Sequence, residues 1–437
     1  MSRHVRSTVV AAIVSAAAIV LAACGSSTAP ARDEPGSSGS SDASSAQGAG
    51  GDVEVFTYWT SGGEKAGLDG LVKEFGTQCP DYHFTTAVVA GGAGANANAV
   101  LASRLQQNDP PSTFQVHAGA ESLSYVAAGQ VQDLTAQYKQ WGLTDAFPKS
   151  LIDNMSVDGK IYSVPANIHR IMMWSNTSVL GKAGITGQPK TIDDLLANLQ
   201  KLRDSGIQSP LAIGRDWTQS DLMEPVLLSV LGGDAYDALW KSGDGWSSPK
   251  VAEALEKYKK LLSFTNGDRD SLDWTDAERL LVQGDAAYQV MGDWMAGEMD
   301  SAKFTDYAYQ AFPGTEDYYM WLADSFTLPT GIANVKGAEC WLKVVGSPEG
   351  QKAFNTKKGS IPARVDADPA DYPAYQQSAM ADFKKLTMVP SCAHGSACTL
   401  GQAGAVNSAL GKFSGDGDLA SLQKALGDAI AKNAVKL

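Results

Sequence analysis

Cys392, His394 and Cys398 lie close enough in sequence to share one piece of chemistry. Two thiolates and an imidazole suit a zinc ion, but this spacing is not a usual zinc pattern and no fourth ligand accompanies it. The same cysteines suit a disulfide that closes a short loop around His394. A second run, Gly92-Ala93-Gly94-Ala95-Asn96-Ala97, fits the loose G-x-G-x-x-A form of a dinucleotide-binding turn. About 20 residues on, where an acidic residue should end a second apolar strand, the chain instead reads Asn108-Asp109-Pro110-Pro111, a turn. The glycines are therefore read as a sharp bend at a helix start. The chain contains no phosphate-binding P-loop, H-E-x-x-H pair, G-x-S-x-G elbow or EF-hand loop, so ATP hydrolysis must belong to another chain. A glycosidase needs two carboxyls flanking one bond. With 48 acidic residues such a pair is available, yet nothing singles one out. No catalytic group, metal or cofactor is expected.

The elements that must position any site are easier to read. Val53, Val55, Thr57 and Trp59 alternate with Glu54, Phe56 and Tyr58 in a strand, and Leu68, Leu71, Val72 and Phe75 follow at helical spacing. Phe84 to Val89 reads as the next strand, Ala95 to Gln107 as the next helix, and Phe114 to His117 as a third strand after Pro110 and Pro111. Farther on, Thr191 with Asp194 marks a helix N-terminus ahead of Leu195, Leu196, Leu199 and Leu202. Val251, Leu255, Tyr258, Leu261 and Leu262 form another helical face, and Ser347-Pro348-Glu349 opens one more helix. This alternation predicts an α/β protein with mostly parallel sheets covered by helices. Ligands of such sheets sit beyond the carboxyl ends of the strands, and Trp59 and His117 both fall there.

Composition sets the remaining bounds. From Asp52 onward roughly 385 residues remain, more than one core usually organises, so two lobes are expected. A formal charge of -13 with no basic run excludes a nucleic-acid partner. At the N-terminus Arg3, His4 and Arg6 precede an apolar run from Val9 to Ala23, too short for a comfortable membrane span. Its end, Leu21-Ala22-Ala23-Cys24, resembles a bacterial lipoprotein lipobox, which implies a signal peptide over 1–23 and lipid on Cys24. The Gly/Ser-rich stretch 24–51 reads as a flexible tether, and the remainder as an extracytoplasmic body held to the membrane by its lipid alone. With Cys24 lipidated, four cysteines remain in an oxidising compartment and allow three connectivities. Cys392 with Cys398 and Cys79 with Cys340 are the favoured pairs, the second stapling distant segments.

Several motifs in register carry a further resemblance. They are Tyr58-Trp59-Thr60-Ser61-Gly62-Gly63-Glu64-Lys65, Gly91 to Gly94, Phe114 to Gly119, Val164 to Arg170, Met291-Gly292-Asp293-Trp294, Asp324-Ser325-Phe326, Lys358 to Ile361 and His394-Gly395. Across Asp52 to the C-terminal region the chain resembles the sugar-binding lipoproteins of ABC importers, closest to the glucose/mannose-binding group. The resemblance implies a two-lobe periplasmic-binding-protein fold like that of maltose-binding protein, with a hinged cleft between two α/β lobes. It places one lobe at 52–165 plus 308–359 and the other at 166–307 plus 360–437.

The resemblance also implies roles for particular residues. Trp59 and Trp274 match positions that stack on a sugar ring, Glu64, Gln115 and His117 match polar contacts from the first lobe, and Asp324, Lys358 and His394 match contacts around the hydroxyls. Tyr58 stands where close relatives carry a second tryptophan, a departure that leaves the width of the subsite open. His169 and Arg170, in a matching motif near the hinge, are read as structural. The implied function is a non-catalytic, monomeric receptor that captures a monosaccharide, glucose first, and delivers it to a membrane permease served by a separate ATPase. A disaccharide or oligosaccharide ligand is the alternative, and an extracellular glycoside hydrolase a more distant one. The residue types suit the task, since indoles cover the C–H face of a pyranose while charged groups satisfy its hydroxyl rim.

Overall fold

A computed structural model describes residues 50–88 and 95–433. The expected signal peptide, Cys24, nearly all of the tether and the Gly91–Gly94 motif lie outside the described residues. The strands in chain order are β1 (Gly51–Thr57), β2 (Tyr82–Val88), β3 (Thr113–His117), β4 (Ser156–Val157), β5 (Lys160–Ile161) and β6 (Ser163–Pro165). They continue with β7 (His169–Asn176), β8 (Leu211–Ala212), β9 (Tyr288–Gly292), β10 (Tyr307–Gln310), β11 (Tyr318–Leu322), β12 (Asp324–Thr327) and β13 (Thr387–Pro390). β1 already pairs at Gly51 with Tyr82, so the tether gives way to strand one residue earlier than expected.

Two sheets organise this body. The first has the order β2-β1-β3-β12-β6 and the second β13-β11-β7-β9-β8, with β10 alongside β7. In the first sheet β2, β1 and β3 are parallel, β12 runs antiparallel to β3, and β6 runs antiparallel to β12. Only β12 is therefore reversed. In the second sheet β7 is antiparallel to β9, β10 and β11, whereas β8 follows β9 and β13 follows β11, so only β7 is reversed. The reversed strands are those by which the chain changes sheet. Residues 166–168 lead from β6 into β7, and Ala323 alone separates β11 from β12. A third passage follows the helix Pro348–Lys358, where Ile361 bridges Ile168.

The expected first-lobe segment 308–359 holds strands of both sheets. β10 and β11 pair with β7 and belong to the second sheet, so the change of sheet falls at Ala323. The change of sheet is hard to see in sequence because only Ala323 separates β11 from β12, so the chain crosses from one sheet to the other without a turn signal.

Local signals act as read. The helix Gly62–Gln78 buries Leu68, Leu71 and Phe75, and the helix Ile192–Asp204 starts on a reciprocal Thr191/Asp194 capping box. Ser347 accepts from the Gly350 amide ahead of Pro348–Lys358. β1 differs from a half-wet strand: residues 55–59 are all buried, because helices cover both faces of the first sheet. Its polar residue Glu54 is held by Arg104 of the helix Ala95–Gln106, with both nitrogen–oxygen distances at 2.8 Å.

Cys79 is bonded to Cys340 across 261 residues, joining the end of the helix Gly62–Gln78 to the helix Val335–Gly346, and Cys392 is bonded to Cys398. These bonds occupy the thiols a zinc site would require. Among the described residues no helix is long and apolar enough to cross a membrane.

Candidate functional site

Strand ends and helix starts converge on a cavity of ≈ 380 Å³ between the two sheets. From the first sheet, β3 ends at His117, directly opposite Asp324 at the start of β12, so the register itself places an imidazole beside a carboxylate. Tyr58 and Trp59 follow β1, and Glu64 lies in the first turn of the next helix. From the second side, Trp217, Trp274 and Trp294 are each the first residue of a helix, and all three line the cavity. His394 enters from the loop closed by Cys392–Cys398, and Lys358 from the last turn of Pro348–Lys358.

The chain passages contribute directly. His169 begins β7, Asp324 begins β12 and Lys358 precedes the third passage, and all three line the cavity. Close packing supports this arrangement. A Cβ on Gly297 would lie 2.5 Å from the Lys357 carbonyl oxygen and 2.7 Å from that of Lys358, so only glycine lets the helix Trp294–Ser301 press against the backbone carrying Lys358. Asp216, between the wall residues Arg215 and Trp217, is held at φ 55°, a left-handed conformation that costs a non-glycine residue about 1–3 kcal/mol.

Asp324 is the polar hub. Its Oδ1 accepts from Gln115 Nε2 at 2.9 Å and from the Tyr58 hydroxyl at 3.3 Å. Its Oδ2 accepts from Asn167 Nδ2 at 2.8 Å and lies 3.2 Å from His169 Nε2. Its backbone N–H donates to Asn167 Oδ1 at 2.8 Å. A carboxylate has about four lone-pair sites, so protein groups engage all of them, the Tyr58 contact being the longest. Burial opposes ionisation of Asp324, but the His169 hydrogen bond and charge, with Lys358 and His117, hold its carboxyl well below the usual range.

The histidines divide into two kinds. Burial lowers the pKa of His117, yet Glu121 on its Nδ1 at 2.7 Å leaves it raised. Burial acts likewise on His169, where Asp293 on Nδ1 outweighs it, and Asp293 in turn accepts from the Tyr375 hydroxyl at 3.1 Å. For His394 burial and then the His117 charge push the value down to about 3, while burial pushes its partner Asp221 well up. The two side chains meet at 2.9 Å between His394 Nε2 and Asp221 Oδ1. Lys358 lies 2.6 Å from Glu64 and 5.3 Å from the centre of the Trp294 ring, so its ammonium is held by a carboxylate and an indole face.

A pH dependence follows. His117 and His169 hold protons in the folded state that the unfolded chain releases at about pH 6.5, so their stabilisation is full below that value and lost as pH rises through their raised folded values. The urea midpoint is expected to fall between pH 6 and pH 9, and His169→Gln should shrink the difference. An unchanged slope in that variant would contradict this assignment.

Of the residues expected at the site, Tyr58, Trp59, Glu64, His117, Trp274, Asp324, Lys358 and His394 line the cavity, and Gln115 does not. Gln115 sits one layer deeper, between Thr57 Oγ1 at 2.5 Å and Asp324. Trp59 is mostly core, with its ring 4.4 Å from Phe354 and 5.6 Å from Phe326, although its Nε1–H is buried without a partner. His169 was read as structural and is instead a wall residue bonded to Asp324, whereas Arg170 is structural, ion-paired to Asp382 at 2.7 Å. Trp217, Trp294, Arg215 and Asp273 were not anticipated. Trp294 was within reach, since it closes the Met291–Trp294 motif just after an apolar strand, much as Trp59 follows β1.

This geometry has counterparts in known proteins. A family model for bacterial extracellular solute-binding proteins matches residues 59–352. A probable sugar-binding periplasmic protein of Mesorhizobium japonicum is 32% identical over 396 residues, covering 86% of this chain and 94% of the relative. An ABC transporter extracellular-binding protein of Pyrococcus horikoshii is 33% identical over 353 residues, covering 79% of this chain and 80% of the relative. Among solved structures, the bacterial solute receptor AcbH, described as having a preference for β-D-galactopyranose, aligns with a TM-score of 0.78 at 20% identity, covering 86% of this chain and 98% of the receptor. At that identity the likeness is one of fold. A matched family model over more than half the chain, strand ends that converge on one cavity, and a wall of indoles and paired charges agree: this chain belongs to the bacterial extracellular solute-binding proteins, which bind rather than transform their ligands.

Proposed function

We propose that this chain is the extracytoplasmic sugar receptor of an ABC importer, closing on one hexopyranose ring, glucose first, and presenting it to a membrane permease with a separate ATPase. The observation that carries this reading is the meeting of Trp217, Trp274 and Trp294 with Asp324, Lys358, Glu64 and His117 around one cavity. The indoles offer flat apolar faces for the C–H side of a sugar ring, and the ionised groups offer donors and acceptors for its rim. At ≈ 380 Å³ the cavity lies near the small end of the roughly 300–1,000 Å³ typical of small-molecule sites, which favours one ring over several. The names of the Mesorhizobium and Pyrococcus relatives supply the sugar and transporter assignments.

A ligand hydroxyl takes the place of the Tyr58 hydroxyl on Asp324 Oδ1, the longest of the four contacts. Sugar held by groups from both sheets favours the state in which they meet, so binding shifts the population toward closure about the three chain passages. The lobes then comprise 52–165 plus 323–359 and 166–322 plus 360–437. The permease reads the closed shape.

Titration of intrinsic tryptophan fluorescence with glucose, mannose, galactose, xylose and maltose tests this reading. Saturable binding with micromolar Kd for a hexose, about -8 kcal/mol, and no hydrolysis is expected. Release of product, or the absence of any response, would contradict it. Cys24 is proposed as the lipid-bearing residue, and Cys24→Ser should move the protein from the membrane fraction to the medium; retention on membranes would argue against lipid at this position.

A further inference from the structure

The loop that carries His394 is gripped at two places. Glu224, in the helix Trp217–Leu231, is 1% exposed and holds the start of the loop. Its Oε1 accepts from the Ala393 N–H at 2.6 Å, and its Oε2 accepts from the Cys392 N–H at 3.0 Å and from the Tyr236 hydroxyl at 2.8 Å. Just past His394, the carbonyls of Gly395 and Ser396 accept from the N–H groups of Glu121 and Ala120 at 2.9 and 3.2 Å, at the start of the helix Ala120–Ala127. A Cβ on Gly119 would run into the Ser396 carbonyl oxygen, and one on Gly395 would lie 2.5 Å from Glu121 Oε2, so the second grip closes only on glycine. His394 stands between the two grips, in the cavity wall, with its ring 5.2 Å from those of Trp217 and Trp294.

The first grip depends on charge. Two backbone N–H groups and a hydroxyl converge on Glu224, and an ionised carboxyl accepts from all three, whereas the acid form turns one acceptor into a donor. The titratable groups facing it are Asp221 one turn earlier in its own helix, Tyr236 of the helix Gly233–Ser242 and His394 of the loop. Burial and then the Asp221 charge push the Glu224 carboxyl up to about 7, against the pull of the Ala393 N–H, the Tyr236 hydroxyl and His394. His394, held down at about 3, does not change charge in the range where Glu224 titrates.

We propose that Glu224 is a positioning residue for sugar binding: its ionised carboxyl fixes the Cys392–Ala393 backbone and, through it, the place of His394 against the ligand. The proposal rests on the reading of the cavity as a sugar site. Glu224 is not itself in the cavity wall, so sugar affinity is coupled to the charge of a residue the sugar never meets. Affinity is full where Glu224 is ionised and falls as it takes up a proton.

Glucose titrations of tryptophan fluorescence between pH 6 and pH 8 test this in wild type, Glu224→Gln, Tyr236→Phe and His394→Ala. The wild-type Kd is expected to rise about fivefold or more from pH 8 to pH 6. Glu224→Gln keeps the shape but, like the acid form, cannot accept from all three donors, so its Kd at pH 8 should be about tenfold weaker than wild type, without the step near pH 7. Tyr236→Phe keeps the carboxyl and removes one donor that favours its ionised form, so the midpoint of the step should move to higher pH. That shift separates Glu224 from Asp221, whose carboxyl meets His394 instead. In His394→Ala the step should vanish. Glu224→Gln with the wild-type Kd and pH profile, a midpoint unmoved in Tyr236→Phe, or a step that persists in His394→Ala overturns the positioning role and leaves the sugar site standing. If Glu224→Gln fails to fold, the Tyr236→Phe midpoint decides by itself. Absence of glucose binding by wild type at every pH overturns the sugar reading, an outcome distinct from loss of the pH step.

Discussion

Asp324→Ala is expected to lower sugar affinity at least tenfold, about 1.4 kcal/mol, and to destabilise the fold in the same step. The two effects share a cause. Asp324 accepts from Gln115, Tyr58, Asn167 and His169, and Lys358 and His117 add to the field that keeps it ionised. Its removal leaves donors and two raised-pKa histidines around an uncompensated hole, and breaking a buried charge pair costs about 3–5 kcal/mol. Asp324→Asn separates the contributions. It retains the shape but replaces one acceptor with a donor and removes the charge, so affinity should fall with the folded state largely kept. Melting curves and titrations on both variants read the two effects independently. Wild-type affinity in folded Asp324→Asn would remove this residue from the ligand's contacts.

Trp294→Ala is expected to have the other large effect. The indole is 5% exposed, and its ring centre lies 5.2 Å from both His169 and His394, 6.0 Å from Trp217 and 6.5 Å from Trp274. It also lies beneath the Lys358 ammonium. Truncation opens a void at the centre of this group, a change of a kind that costs about 3–5 kcal/mol, and it frees Lys358 and His394 from their positions. Affinity should drop tenfold or more, and the fluorescence response to sugar should shrink. Trp294→Phe, which keeps a ring for the cation and the edge contacts, should recover most of the stability and part of the affinity. Equal affinity in Trp294→Ala and wild type would show that the ligand does not meet this wall.

What could be read from the chain follows from the range of each signal. Capping at Thr191, the helix starting at Pro348 and the strand ending at His117 depend on neighbours within a few residues, and each was legible. The two disulfides were legible because few cysteines leave few pairings. His169 was not, because its partners Asp293 and Asp324 lie 124 and 155 residues away in sequence. Gln115 shows a subtler limit. It shares a strand face with His117, but at about 3.3 Å per residue it lies about 7 Å farther back, and this depth turns a side chain expected in the cavity into one that braces Asp324 from behind. The point where the chain changes sheet is hidden for a similar reason: only Ala323 separates β11 from β12, and only long-range pairing shows that Leu322 and Asp324 belong to different sheets. Trp217 had no usable signal, since its place depends on the left-handed Asp216 before it.

The central claim is that one sugar ring lies in the cavity between the sheets, its face on the indoles and its edge on the charged groups. A crystal structure of the protein grown with glucose tests it most directly. The account predicts a pyranose stacked on Trp294 or Trp274, with hydroxyls within about 3.2 Å of Asp324 and Lys358 and the Tyr58 hydroxyl moved off Asp324 Oδ1. A ring bound elsewhere, or in this cavity without contact to Asp324 and Lys358, would contradict it.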